Sequence, residues 1–275
     1  MRGRSERPEE TASPESGGVE PGTGPGPGAG ERGAAQPGRA GKILGVILAG
    51  GRSRRFGGEK ALFPLGGRPM AEWALLALKP NTARQVVISH LPEVGRALGV
   101  PGLQDLIPGR GPLGGIHAGL TRAREEGFGG AFVLACDLPL VGPGLVCRIL
   151  QAWPSVAPAA VPESPGPLGL EPLCGVYGLE CLAGVEEAAL SSHRSMEDAM
   201  RRLGAFTIPM PVLGGREAVA AAFTNVNTRT SAEWVRELLE GGGAGAPADQ
   251  GPSGSRDGPG PGPSIGTSTR GGEER

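Results

Sequence analysis

Residues 46–60 read VILAGGRSRRFGGEK, and this stretch indicates both the fold and the place of the chemistry. An aliphatic run is followed by Gly50 and Gly51, then by three arginines, a second pair of glycines and Lys60. Glycine has no Cβ, so backbone N–H groups can approach phosphate oxygens there, and arginine and lysine neutralise the charge on those oxygens. The spacing is neither that of a Walker loop nor the GxGxxG of dinucleotide-binding folds. A solvated turn is the alternative, but the position directly after a buried strand favours a phosphate-binding loop.

Short aliphatic runs alternate with helical patterns on both sides of this loop. Three runs have the nearly continuous hydrophobicity of strands buried on both faces of a parallel sheet: 43–48, 85–89 and 131–136. Three helical patterns begin close to a proline, where a missing N–H costs little: 69–78, 112–126 and 143–153. The alternation predicts an α/β fold with three layers, a doubly wound and mostly parallel Rossmann-like sheet. Ligands of such sheets bind beyond the carboxyl ends of the strands.

The second half of the chain gives a weaker signal. Residues 154–170 are rich in proline and glycine and are interpreted as one short strand followed by a surface loop. The remaining predicted elements are a strand over 173–177, helices over 181–190 and 196–203, and a last helix over 231–240 with Ser231 as its N-cap.

Composition divides the chain into one domain and two tails. Residues 1–41 contain 17 glycines and prolines and one large aliphatic residue, Val19, and 241–275 repeat this pattern. Neither tail offers enough apolar surface to form a core, so both are predicted to be disordered, and one nucleotidyltransferase domain is expected over 42–240.

The whole chain gives no sign of a charged or membrane partner. The formal net charge is −1, which does not favour nucleic acid or an anionic membrane surface. A membrane-spanning run and a secretory h-region are both absent from the sequence, so a cytoplasmic protein is expected. The four cysteines form no CxxC pair and are interpreted as packed thiols.

Three further segments carry polar groups suited to a nucleotide site. Asp137 follows the run 131–136, where a carboxylate could hold Mg²⁺ beside substrate phosphates or could simply cap a turn. Asp105 precedes a glycine-rich helix entry that includes Gly114 and would let a flat base or ribose approach the backbone. His117, further along that helix, is interpreted as structural.

Asn225 and Asn227 are two residues apart, so they lie on one face of an extended segment. Their amides could orient a phosphate or a metal-bound water, and a simple turn is the alternative.

The first loop resembles the signature of the molybdenum cofactor guanylyltransferases, LAGG followed by RRMGG and DK. It stands here as Leu48-Ala49-Gly50-Gly51, then RRFGG, then Glu59-Lys60, with Phe in place of Met and Glu in place of Asp. The related cytidylyltransferases carry LAAG more often, so Gly50 favours guanine. The other elements of the family follow in the right order over nearly all of 42–240.

The resemblance implies a role for each matching residue. It implies a nucleotide site formed by Leu48, Ala49, Gly50, Gly51, Lys60, Ser89, Asp105, Gly114 and Asp137. Lys60 and Arg55 are the expected catalytic cations, with Arg54 as the alternative to Arg55, and Asp137 is the expected ligand of the cofactor Mg²⁺. Glu171, Asn225 and Asn227 are expected on the acceptor side. The family commonly has Asn where Ser89 stands here, and Pro where Arg229 stands.

The activity implied is transfer of GMP from GTP to the phosphate of molybdenum-bound molybdopterin, with release of pyrophosphate. Transient contact with cofactor-inserting proteins is expected, and neither nucleic acid nor membrane is an expected partner. Fold and phosphate loop alone do not choose the acceptor, so a cytidylyltransferase or a sugar-phosphate nucleotidyltransferase is an alternative. A nucleotide-binding regulator without turnover is a third.

Overall fold

A computed structural model describes residues 43–50, 59–191 and 195–241. Its main sheet has seven strands in the order β5-β4-β1-β6-β8-β7-β9. These strands are β1 (Ile43–Leu48), β4 (Arg84–Ile88), β5 (Gly102–Leu103), β6 (Gly130–Ala135), β7 (Ala159–Pro162), β8 (Cys174–Gly178) and β9 (Phe206–Ile208). A separate small hairpin is formed by β2 (Pro64–Leu65) and β3 (Arg68–Pro69).

Helices connect the strands and cover both faces of the sheet. They are α1 (Met70–Leu78), α2 (Pro92–Leu98), α3 (Pro112–Glu125), α4 (Pro143–Ala152), α5 (Leu182–Leu190), α6 (Met196–Leu203), α7 (Arg216–Ala222) and α8 (Arg229–Gly241). The predicted three-layer α/β fold with a mostly parallel sheet is therefore confirmed. Among the described residues, none of these helices combines the length and the apolar composition needed to cross a membrane.

The alternation of side chains along β1 shows how the layers are built. Ile43 and Ile47 belong to the core that includes α1 and α4, whereas Leu44, Val46 and Leu48 belong to the core that includes α3 and α5. This is the period of two that a strand imposes. A strand buried on both faces therefore requires the continuous hydrophobic run seen in the sequence.

Helix α3 packs unusually close to β1 because glycines face the strand. A Cβ on Gly119 would lie 2.9 Å from both Cγ1 and Cγ2 of Val46, and one on Gly115 would lie 2.8 Å from Cδ2 of Leu48. Real Cβ contacts are almost never this short, so these glycines fix the distance between helix and sheet.

The strand register brings loops from different parts of the chain to one edge. In β1, Leu48 pairs with Ile88 of β4 and with Ala135 of β6, so these three parallel strands end together. Strand β8 is antiparallel to both β6 and β7, so it begins at that same edge. The residues just before β8 therefore join those that follow β1, β4 and β6.

The prediction for the last helix was wrong at its start. The helix begins at Arg229, so Ser231 lies inside its first turn and is not the N-cap. Thr228 Oγ1 accepts from Ser231 N at 3.1 Å, and Ser231 Oγ accepts from Thr228 N at 3.0 Å. This reciprocal pair is the arrangement of a capping box, with Thr228 as the cap. Serine and threonine are both good caps, so sequence alone favoured the wrong one.

Elements α2, β5, β9 and α7 were not predicted, and neither was the hairpin of β2 and β3. In α2, Gly95 interrupts the helical pattern because a Cβ there would lie 2.9 Å from the backbone N of Gly102 in β5. The close contact between α2 and β5 therefore requires a glycine, which weakens the sequence signal for α2. Strand β5 has only two residues. Strand β9 is three residues long, with Phe206 and Thr207 exposed, which leaves no apolar run to detect.

Candidate active site

The chain leaves β1 along a hydrogen-bonded path that continues the sheet. Ala49 N donates to Ile88 O at 2.9 Å, and Leu48 O accepts from Cys136 N at 3.0 Å. The next residue, Gly50, is exposed, and a Cβ on it would meet nothing within 4 Å. Rigid anchoring up to Ala49 and open space at Gly50 suit a loop that receives a phosphate chain. The predicted contributions of Gly51 and Arg55 lie outside the described residues, as does Arg54.

Lys60 joins two of the predicted site segments. Its Nζ donates to Asp137 Oδ2 at 2.9 Å and to Asn227 Oδ1 at 2.7 Å. Only 14% of the Lys60 side chain and 25% of the Asp137 side chain are exposed, which makes the ion pair stronger than one on an open surface. Two predicted residues that are distant in sequence, Asp137 and Asn227, therefore both contact the ammonium group of Lys60.

Local backbone contacts hold each member of this group in place. Lys60 opens a short 3₁₀ helix, Lys60–Leu62, whose N-cap Glu59 accepts from Ala61 N at 3.3 Å. Val226 N donates to Asp137 O at 2.9 Å, which ties the segment before α8 to the turn after β6. Val226 is buried between the exposed Asn225 and Asn227, as an extended segment predicts.

A second group of predicted residues surrounds the start of α3. A Cβ on Gly114 would lie 3.7 Å from Asp105 Cγ and 3.1 Å from Ile107 O, so glycine allows this loop to pack on the helix. Burial raises the pKa of Asp105, and the charge of His90 opposes that effect. His117 is buried and its Nδ1 has no hydrogen-bond partner among the described residues, and its interpretation as structural stays a prediction.

Ser89 is buried at the end of β4, next to the predicted nucleotide loop. Its N donates to Leu103 O at 2.9 Å, and its Oγ accepts from Leu91 N at 3.1 Å. The hydroxyl therefore stabilises the turn into α2, and it retains its proton and a second lone pair for a ligand. A longer amide side chain at this position would extend further from the strand.

A cleft of about 590 Å³ is lined in part by Asn225, which is two residues from the Asn227 that contacts Lys60. One wall is the turn between β7 and β8, which contains Leu168 and ends at Glu171, and another is the segment that contains Phe223 and Asn225. The volume lies within the range of small-molecule sites. Glu171 and Asn225 were predicted from the sequence, whereas Leu168 and Phe223 were not, because no pattern distinguishes an apolar residue that lines a cleft from one in the core.

Glu171 is the one carboxyl group among the described residues that line this cleft, and its pKa is perturbed. Its pKa is raised to about 7, mainly by burial, while the hydrogen bond from Leu173 N opposes this shift and the negative charge of Asp137 adds to it. That bond joins Leu173 N to Glu171 Oε1 at 3.3 Å. Perturbed carboxyl groups in clefts are candidates for function.

The surroundings of the cysteines and of Tyr177 indicate that these residues contribute to packing. Burial raises the pKa of Cys136 to about 12, with the charge of Asp137 as the second cause, so this thiol stays protonated. All four cysteines are free, in agreement with their interpretation as packed thiols. Tyr177 is fully buried, and its hydroxyl donates to Pro172 O at 2.7 Å.

The donor atoms around Lys60 fit Mg²⁺ better than a transition metal. The described residues contain no group of three or more His, Cys, Asp or Glu side chains that could hold a metal on their own. Asp137 Oδ2 and Asn227 Oδ1 are oxygen donors close enough to share one ammonium group. Mg²⁺ prefers oxygen ligands and takes most of its shell from water and phosphates, so one carboxylate is a sufficient protein contribution.

The fold and this edge of the sheet define the class of protein. A mostly parallel sheet with a glycine-rich loop after β1 and a lysine–aspartate pair beyond the strand ends is the architecture of a nucleotidyltransferase. The MobA-like NTP transferase domain matches residues 45–206. The chain belongs to this family and is a nucleotidyltransferase.

Relatives and a solved structure agree with this assignment. A probable molybdenum cofactor guanylyltransferase of Pelotomaculum thermopropionicum is 34% identical over 72% of this chain and 94% of that protein. A molybdenum cofactor guanylyltransferase of Desulfosudis oleivorans is 32% identical over 73% and 97%. The structure of molybdopterin-guanine dinucleotide biosynthesis protein A from Archaeoglobus fulgidus has a TM-score of 0.60 and 26% identity, and the match covers 72% of this chain and all of that one.

Proposed function

We propose that this enzyme transfers GMP from GTP to the terminal phosphate of molybdenum-bound molybdopterin and releases pyrophosphate. The contact of Lys60 with both Asp137 and Asn227 is the observation that carries the proposal. It places one cation between the turn after β6 and the segment beside the cleft, where a nucleotide and an acceptor would meet. The names of the relatives, molybdenum cofactor guanylyltransferases, support a guanylyl donor and a molybdenum-cofactor acceptor.

The reaction needs little proton chemistry. An oxygen of the acceptor phosphate, which is already anionic, attacks the α-phosphorus of GTP while the bond to the β-phosphate oxygen breaks and pyrophosphate leaves. Lys60 neutralises the charge on the α-phosphate, and Arg55 or Arg54 neutralises that on the leaving group. When bound through Asp137 and the triphosphate, Mg²⁺ supplies further charge neutralisation. The remaining task of the protein is to hold the two substrates in line.

Product analysis tests both the base and the acceptor. The purified enzyme is incubated with molybdopterin, Mg²⁺ and either GTP or CTP, and the pterin product is identified by mass spectrometry. We expect a guanine dinucleotide, formed at least roughly tenfold faster than a cytosine dinucleotide, which corresponds to about 1.4 kcal/mol of discrimination.

A matched pair of variants ties the product to the site. Lys60→Ala should abolish most product, whereas Lys79→Ala, which removes an exposed lysine at the end of α1, should leave the rate unchanged. Equal turnover of GTP and CTP would favour a cytidylyltransferase. Tight nucleotide binding without any dinucleotide product would instead favour a regulator.

A further inference from the structure

The cleft lined by Glu171 and Asn225 has few charged residues for a site in an enzyme whose substrates carry phosphate groups. Its walls include Pro112, Pro167, Leu168 and Phe223. Among the described residues that line it, Glu171 is the single ionisable one. A cleft with a carboxylate and no cation does not favour a phosphate group. It suits an uncharged, flat molecule that offers N–H donors.

The backbone around Glu171 is fixed from both sides. Glu171 N donates to Pro162 O at 2.9 Å, and Glu171 O accepts from Cys174 N at 3.2 Å. Its side chain uses Oε1 for the hydrogen bond from Leu173 N, while Oε2 has no hydrogen-bond partner among the described residues. The carboxylate is thus oriented by the fold and retains acceptor capacity towards the cleft.

A stabilising role does not account for this carboxylate. No Lys or Arg of the described residues forms an ion pair with Glu171, and a buried charge without a cation destabilises a fold. The pKa near 7 reflects that cost. Glu163, on the other strand of the same turn, provides a contrast, because its Oε2 accepts from Met210 N at 3.0 Å.

We propose that Glu171 is a specificity-determining residue that recognises the acceptor through the 2-amino-4-oxo edge of its pterin ring. This inference rests on the proposed function for the identity of the acceptor. The pterin edge presents two adjacent donors, the 2-amino group and N3–H, and a carboxylate offers acceptors that can bind both. Pro112, Leu168 and Phe223 provide apolar surface for the faces of the ring.

The position of the cleft indicates how the acceptor would be oriented. Asn225 lines the cleft, and Asn227, two residues further, contacts Lys60. A pterin held at Glu171 would therefore extend its phosphate-bearing end towards the ammonium group of Lys60. The charged and uncharged ends of the acceptor are thus matched by a cation and by a carboxylate in an apolar cleft.

Binding of two pteridines that differ at one position tests the proposal without turnover. The probes are 6-hydroxymethylpterin, which has a 2-amino group, and 6-hydroxymethyllumazine, which has a 2-oxo group, and fluorescence titration measures both affinities. We expect the full-length enzyme to bind the pterin at least roughly tenfold more tightly. Glu171→Gln should lose or reverse this preference, because an amide matches the donor and acceptor pair of lumazine. Glu163→Gln is the matched control and should retain it.

Kinetics with molybdopterin provide a second readout. Glu171→Gln should raise the KM for molybdopterin roughly ten- to hundredfold, with kcat and the KM for GTP little changed. Equal affinity of the unmodified enzyme for the two pteridines, or no binding of either, would overturn the inference, and so would an unchanged preference in Glu171→Gln. Failure of the proposed function would be recognised separately, as the absence of a guanine dinucleotide product.

Discussion

In the proposed mechanism, Lys60 is the residue at which the expected nucleotide side and the expected acceptor side meet. It contacts Asp137, which follows β6, and Asn227, which precedes α8. Lys60 carries its charge on a side chain that these contacts hold in place, so it can stabilise negative charge throughout the transfer. Asp137 would act through a metal ion that the triphosphate also holds. Removal of Lys60 and removal of Asp137 should therefore have different effects on activity.

We expect Lys60→Ala to lower kcat by a factor on the order of a hundred or more while GTP still binds. Asp137→Ala should weaken the Mg²⁺ site, so excess Mg²⁺ should recover part of its activity but none of the Lys60→Ala loss. The measurement is the initial rate of pyrophosphate release against Mg²⁺ concentration. An Asp137→Ala enzyme with an unchanged rate and unchanged Mg²⁺ dependence would exclude the proposed metal role.

Glu171 links the site to stability through pH. Burial raises its pKa in the folded enzyme to about 7, above the ordinary value of 4.5. Between these values the folded protein binds more protons than the unfolded chain, so this group's contribution to stability is lost as pH rises towards 7. Glu171→Gln removes the titration, so the variant should be more stable than the unmodified enzyme above pH 7, by about 3 kcal/mol.

Denaturant unfolding at several pH values measures this difference. It should be largest above pH 7 and shrink as pH falls towards 4.5, because the protonated carboxyl group of the unmodified enzyme then resembles the amide. A difference that is constant with pH would show that the pKa of Glu171 is not raised. Glu163→Gln serves again as the control.

At the scale of the element, α8 depends on the capping box between Thr228 and Ser231. Thr228→Ala removes the cap and should lower the free energy of unfolding by about 1 kcal/mol. Because Asn227 directly precedes the cap, kcat should fall as well. Thr230→Ala, an exposed threonine in the first turn of the same helix, is the matched control and should change neither quantity appreciably.

Thermal unfolding and pyrophosphate release measure the two effects. Ser231→Ala should resemble Thr228→Ala, and the double variant should lose less than the sum, since both side chains serve one reciprocal contact. Additive losses would show that the two residues act independently.

The elements that were predicted from the sequence are those with one unambiguous pattern. Strands β1, β4 and β6 contain short hydrophobic runs, and α1, α3 and α4 begin next to prolines, so their positions agree with prediction to within about two residues. Helix α2 was missed because its interior Gly95 is needed for close packing against Gly102. Such a glycine weakens the local signal for a reason that lies in another element.

The site residues also divide into those that the sequence could predict and those that it could not. Lys60, Asp137 and Asn227 each occur in a recognisable segment, and strand topology explains why the segments after β1 and β6 meet. The role of β8 could not be predicted, because no local pattern reveals that it runs antiparallel. That direction brings Leu173 to the edge, where its carbonyl accepts from Ala135 N at 2.8 Å, and it brings Glu171 with it.

At the scale of the whole molecule, the chain should function without its glycine- and proline-rich ends. A protein of residues 42–241 contains every element described above and the region matched by the family domain. It should have the melting temperature and pyrophosphate release rate of the full chain, because the removed segments lack the apolar residues to form a core.

A shorter protein of residues 42–227 should fail the same measurements. It lacks α8, whose Ala232 and Val235 form a small core with Leu65, Met70 and Val226. Loss of activity in the 42–241 protein, with its fold intact, would show that an end contributes to function.

The contact between Lys60 and residues from two distant parts of the chain has a consequence for synthesis. Lys60 and Asp137 are both made before Asn227, and translation of the chain between Asp137 and Asn227 takes roughly 5 to 20 seconds at usual rates. The loop after β1 and the turn after β6 can meet on the growing chain during that interval. The proposed acceptor side can be completed only after α8 has been made, so we expect a newly made enzyme to form its two substrate sites one after the other.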